Sequence, residues 1–228
     1  MKTGMLSQDT EILLLEYASG VLPSQLSLLM ASYVSMSAAA MAYVRSCEQI
    51  GGMFLEHDCR PVAMQKNSLK QVLARLENTD QGGQNVSSGV SGADAFDCGL
   101  PDSCLPLPLR RHLQRPEQAI RWKKMLPGMA YLPLSFSDDS LSVYMLKVAP
   151  GIKTPRHRHP GMELTLVLDG AFHDENGHYA AGDLIILQDD HDHQPIADDR
   201  QGCICIVASD HPAHFTGTLT RFLNFLMR

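Results

Sequence analysis

Basic residues are in deficit throughout this 228-residue chain: 19 Lys and Arg stand against 25 Asp and Glu, a formal charge of −6. The deficit is −2 over residues 1–80 and −4 over residues 81–228. Neither half therefore carries the phosphate-neutralising footprint of a nucleic-acid binder. The densest basic stretch, Arg110-Arg111 with Arg115, Arg121 and Lys123-Lys124, is short and diluted, and reads as a solvated rim. Long apolar runs are also missing. No segment approaches the ~18–20 apolar residues that cross a bilayer, and the opening MKTGMLSQDTE lacks the apolar core of a signal peptide. Six cysteines without a secretory signal point to free thiols in a reducing cytoplasm. Aromatic residues are scarce at 6%, and the single Trp122 reads as core or rim packing.

What is present divides into three textures, and the length allows two modest domains. Residues 1–77 read as helical. Ser7 or Asp9 can cap a first helix that stops at Gly20, and Pro23 suits the first turn of a second. A third begins around Ser37 and is expected to end at Gly51-Gly52. Asn67 or Ser68 then caps LKQVLARLEN, where Leu69, Val72, Leu73 and Leu76 fall at i, i+3, i+4 and i+7. That stripe suits core packing or, as the alternative, an interaction face. Residues 78–104 are rich in Gly, Ser, Asn and Asp and read as a flexible linker. Within them Cys98 and Cys104 are the one plausible redox pair. From residue 105 to 228 the texture is β, with short strands expected at Ala119–Trp122, Met129–Leu132 and Leu141–Val148 and onward to Leu226. The expected fold class is α+β, a bundle of about four helices followed by a β-barrel.

The chemistry concentrates in residues 155–195, PRHRHPGMELTLVLDGAFHDENGHYAAGDLIILQDDHDHQP. Side chains alternate along a strand, so His157 and His159 share a face. Pro160-Gly161 turns the chain into ELTLVL, in which Glu163, Thr165 and Val167 share one face and Leu164, Leu166 and Leu168 the other. Asp169-Gly170 is expected to close that strand, and Gly182-Asp183 to open Leu184–Leu187. His193 follows thirty residues after Glu163. A histidine pair at i and i+2 is by itself commonly just solvated. Eight of the ten histidines, however, lie between His157 and His214. Three imidazoles and a carboxylate converging in a small barrel make a first-row transition-metal site. Cys203 and Cys205, alternating with Ile204 and Ile206, read as small side chains on one face of a buried strand.

The H-x-H-x₃-E spacing, the G-D turn and the downstream histidine resemble the cupin metal motif. ELTLVLDGAF at 163–172, AGD at 181–183 and CICIVASD at 203–210 are similar to ChrR-type cupin anti-sigma factors. That resemblance implies His157, His159, Glu163 and His193 as ligands, with His191 the competitor that the family register disfavours. One divalent metal is implied, zinc first, with iron, manganese or nickel as alternatives. LLLEYASGVL and the helix carrying IGG resemble the family's helical anti-sigma domain. The zinc motif usual there falls on Tyr33, Ser37 and Ala40, with its early histidine near Gln8. Those side chains cannot replace N/S ligands, so no N-terminal metal is expected.

The resemblance implies a transcriptional regulator in the cytoplasm. Residues 1–77 would sequester an ECF-type sigma factor, using the Leu69/Val72/Leu73/Leu76 stripe as anchors. The cupin domain would sense a chemical or oxidative signal. It implies no direct nucleic acid or membrane partner, and it allows a homodimer. The alternative is a metal-dependent cupin enzyme, a dioxygenase or isomerase, with an appended helical domain. The residues around the motif, Thr165, His173 and His178, supply no clear general base for it.

Overall fold

The computed structural model describes residues 6–79, 100, 105–138, 140–158, 160–188, 192–211 and 214–216. Cys98, Cys104 and nearly all of the expected linker lie outside them, as do His159, His191 and the expected strands beyond Thr216. The described residues of Met1–Gln49 and Cys98–Arg228 form one compact unit, and those of Ile50–Asp97 a second. No described single helix is long and apolar enough to cross a membrane.

Helix α1 (Gln8–Ala18) is capped by Ser7, whose Oγ accepts from the Thr10 N–H at 3.2 Å. It ends at Ser19, before Gly20 turns the chain away at φ +71°. Helix α2 (Ser24–Met36) follows Pro23 and buries Leu26, Leu29, Met30, Tyr33 and Val34. Ser37 then caps α3 (Ala38–Asp58), accepting from the Ala40 N–H at 3.2 Å, and α3 leaves α2 at 115°. Three of the four positions that the resemblance marks for zinc thus have other work. Tyr33 and Ala40 are buried in packing, and Ser37 caps a helix.

Helix α3 does not stop at Gly51-Gly52, which corrects the expectation. A glycine stops a helix by entering the left-handed region, and neither of these does. Each costs about 1 kcal/mol relative to alanine, but the Met53-Phe54-Leu55-Glu56 run beyond them carries the helix to Asp58. Helix α4 (Ser68–Thr79) starts as expected, after Asn67 at φ +73°. A short α5 (Leu107–Leu113), entered through Pro106, stands where β-structure was expected to begin.

The strands are β1 (Lys123–Leu126), β2 (Met129–Pro133), β3 (Ser142–Val148), β4 (His157–Arg158), β5 (Glu163–His173), β6 (His178–Ala180), β7 (Leu184–Leu187), β8 (Asp192–His193), β9 (Ile196–Ala197), β10 (Cys203–Ser209) and β11 (His214–Phe215). Residues 119–122 are not a strand; the first strand starts one residue later, at Lys123. One antiparallel sheet runs β1-β2-β3-β10-β5-β6, with β7 and β9 also paired to β5, and a second runs β11-β4-β8. Helices followed by an antiparallel barrel give the α+β class expected.

Glu163 through Leu168 are all buried, because β5 is covered on both faces. Inward, Val167 joins Val148, Phe172, Cys203, Cys205 and Val207 in the barrel core. Outward, Leu164, Leu166, Ile206, Met145 and Leu132 are fully buried, where α2 lies against β10 and packs with α5. Asp169-Gly170 does not close β5. The strand runs on through them after a bulge at Leu168, where the pairing with β10 slips from Cys205 opposite Val167 to Ile204 opposite Asp169. Gly170 sits at φ +68°, and without a Cβ it lets the Gly202 carbonyl approach and accept from the Ala171 N–H at 3.0 Å. The bulge resets the alternation, so Val167 and Phe172 both face inward.

Candidate metal centre

The barrel interior narrows to a cavity of about 70 Å³, lined by His157, Glu163, His193, Thr165, Tyr144 and Cys205 among others. Each predicted ligand that the structure describes reaches it from a different element. His157 comes from β4, Glu163 from the start of β5, and His193 from β8, where His157 and His193 stand directly opposite in the antiparallel register. Glu163 and His193 are 6% and 4% exposed. His159 lies outside the described residues, and among the described ones no three His, Cys, Asp or Glu side chains close a complete metal site.

The hydrogen bonds define which imidazole nitrogens face inward. His157 Nδ1 is 2.7 Å from the Pro155 carbonyl oxygen, which can only accept, so that nitrogen carries the proton. His193 Nδ1 is 3.1 Å from Asp174 Oδ2 and donates to it. The two Nε2 atoms then face each other at 3.2 Å. Two neutral rings in these tautomers would oppose lone pairs at that distance, which a shared proton or a bound metal ion relieves. A tetrahedral centre with ~2.05 Å bonds separates its ligand nitrogens by about 3.3 Å. The donor set therefore fits a divalent metal, and the buried Glu163 carboxylate would add the negative charge such an ion needs.

Beside these ligands the cavity is lined by the uncharged side chains of Tyr144 and Cys205. Burial, then the nearby Glu163 and Cys205, push the Tyr144 hydroxyl far above its ordinary range. Cys205 is likewise raised, through its hydrogen bond with Cys203 and through burial, so its thiol stays protonated. Thr165 Oγ1 donates to Glu163 Oε1 at 3.2 Å. Outside the cavity, Arg156 binds Glu175 and reaches Asp192 at 3.5 Å, while Thr216 donates to Asp192 at 2.8 Å. This clamp ties β4, β8 and β11 together behind the two histidines. His173 and His178 are exposed and take no part. Sequence reading missed Tyr144 and Asp174; the one signal for Asp174 was its place in the turn right after β5.

The model of the ChrR cupin-like domain matches residues 111–213. The anti-sigma-E factor ChrR of Cereibacter sphaeroides is 30% identical over 219 residues, covering 96% of each chain. The chain belongs to the ChrR family. In the solved structures, this ChrR-family fold is similar to the crystal structure of Rhodobacter sphaeroides SigE in complex with the anti-sigma ChrR. That match has a TM-score of 0.69 and 29% identity, covering 91% of this chain and 98% of that one. The similarity spans both the helices and the barrel, as the order of textures in the sequence implies.

Proposed function

We propose that this chain is a cytoplasmic anti-sigma factor that sequesters an ECF-type sigma factor through its N-terminal helices. The barrel holds one divalent metal, zinc first, on His157, His159, Glu163 and His193, and senses a chemical signal. One observation carries the reading: the relation to an anti-sigma factor runs over 96% of both chains, not over the barrel alone. Two features of this chain support it. In the unit of residues 50–97, Ile50, Met53 and Phe54 on α3 and Leu69, Val72 and Leu73 on α4 are all half exposed or more. Apolar side chains at helical spacing, left in water, are what a partner's groove takes up. The barrel cavity, at about 70 Å³, is also far below the ~300–1,000 Å³ that organic ligands occupy. It admits species of a few atoms, which suits a small reactive signal better than the organic substrate of a dioxygenase or isomerase.

The test is titration of the full chain with an ECF-type sigma factor of its own organism, followed by in vitro transcription. A stoichiometric complex that silences the sigma-dependent promoter is expected. Undiminished transcription at excess chain would refute the reading.

A further inference from the structure

We propose that Asp174 is the positioning residue of the metal centre, fixing the tautomer and direction of His193. The inference rests on the metal-centre reading above. Asp174 directly follows β5, in the turn to β6, and its backbone N–H donates to the Gly177 carbonyl at 3.0 Å. Its Oδ1 accepts from the backbone N–H groups of Asn176 at 2.8 Å and Gly177 at 3.2 Å. That pins the carboxylate and leaves Oδ2 aimed at His193 Nδ1, 3.1 Å away. The Asp174 and His193 side chains are 3% and 5% exposed. A carboxylate buried this far costs free energy unless its oxygens are engaged, and here both are. Since a carboxylate only accepts, Nδ1 keeps the proton and Nε2 turns its lone pair into the cavity. The same contact stops the ring from rotating. The β5–β6 turn thus acts on the metal without touching it.

The turn geometry makes Asp174→Asn a sharp test. The two backbone N–H groups retain the amide oxygen at the Oδ1 position, which places the NH₂ against His193 Nδ1. A donor there forces Nδ1 to accept, so the proton moves to Nε2 and blocks the lone pair meant for the metal. Chelator competition on the zinc-loaded full chain should show affinity lower by about 10–100-fold. Asp183→Asn serves as control: Asp183 Oδ2 accepts from the Ala180 N–H at 2.9 Å in the neighbouring turn and reaches no histidine among the described residues. It should leave affinity unchanged. Wild-type affinity in a folded Asp174→Asn protein overturns the proposal. Should that variant not fold, ¹⁵N spectra of the zinc-loaded wild type decide. A proton on His193 Nδ1 with Nε2 metallated upholds the proposal, and the reverse overturns it. A wild type that binds none of zinc, iron, manganese and nickel instead refutes the metal centre itself.

Discussion

Leu73→Asp separates an interface from a core more cleanly than any other single change. Leu73 is 50% exposed, beside Leu69 at 61% and Val72 at 53% on the same face of α4. The side chain of Leu76, which continues the spacing, lies outside the described residues. Fully burying a leucine stabilises by ~1.5–3 kcal/mol, so covering the exposed half of Leu73 in a complex contributes roughly 1 kcal/mol. Aspartate loses that term and adds an unpaired carboxylate inside the interface, at an effective cost of several kcal/mol. The sum, at least ~3 kcal/mol, is more than a hundredfold in affinity for the sigma factor. In the free chain the change sits at a half-exposed helical position, where propensity alone costs about 0.5 kcal/mol. Thermal unfolding should therefore shift by only a few degrees. Isothermal titration against the sigma factor, beside a melt of the free protein, measures both. Gln71→Asp, the same charge on the opposite face of α4, should bind like wild type. Unchanged affinity for a folded Leu73→Asp chain would refute the interface. A collapse of the melting transition would show that the stripe is core.

Metal content is the next expectation. The purified chain should carry about one divalent equivalent, and His157→Ala with His159→Ala should reduce it to none while the barrel stays folded. A second equivalent that survives those changes would refute a metal-free N-terminal region. Acid sensitivity should depend on His112, which is 3% exposed, stacks on Phe136 at 4.7 Å and has no partner for its Nε2 among the described residues. Burial, then the charge of Arg115, lowers its pKa in the folded chain. The unfolded chain therefore binds the extra proton first, and stability falls as pH drops through about 6.5. Melts of metal-free protein at pH 7 and pH 5 should show a shallower decline for His112→Leu than for wild type; equal declines would refute this role.

Where sequence reading failed, a neighbour decided the outcome. Gly51-Gly52 and Asp169-Gly170 both look like stops, because glycine permits the left-handed turn that ends an element. Permission is not instruction: the glycines of α3 keep helical backbone, and Gly170 uses its freedom inside β5, two residues past the bulge at Leu168. What takes up that freedom is the Gly202 carbonyl just before β10, some thirty residues away and invisible to any local pattern, which accepts from the Ala171 N–H. Ser7, Pro23 and Leu184–Leu187 were legible because caps and alternation act over a few residues.

The same division holds at the site. By itself, the sequence determined the α+β order of the chain, the donor types and the face that Glu163 shares with Thr165, since these follow from local periodicity and side-chain chemistry. Tertiary structure alone decided that His157 and His193 stand opposite each other with Nε2 atoms 3.2 Å apart. It also brought Asp174 behind His193, and left a cavity of only about 70 Å³ between them and the two cysteines. Register between strands distant in the chain depends on which bulges and turns the whole barrel accepts, and no stretch of residues carries that information alone.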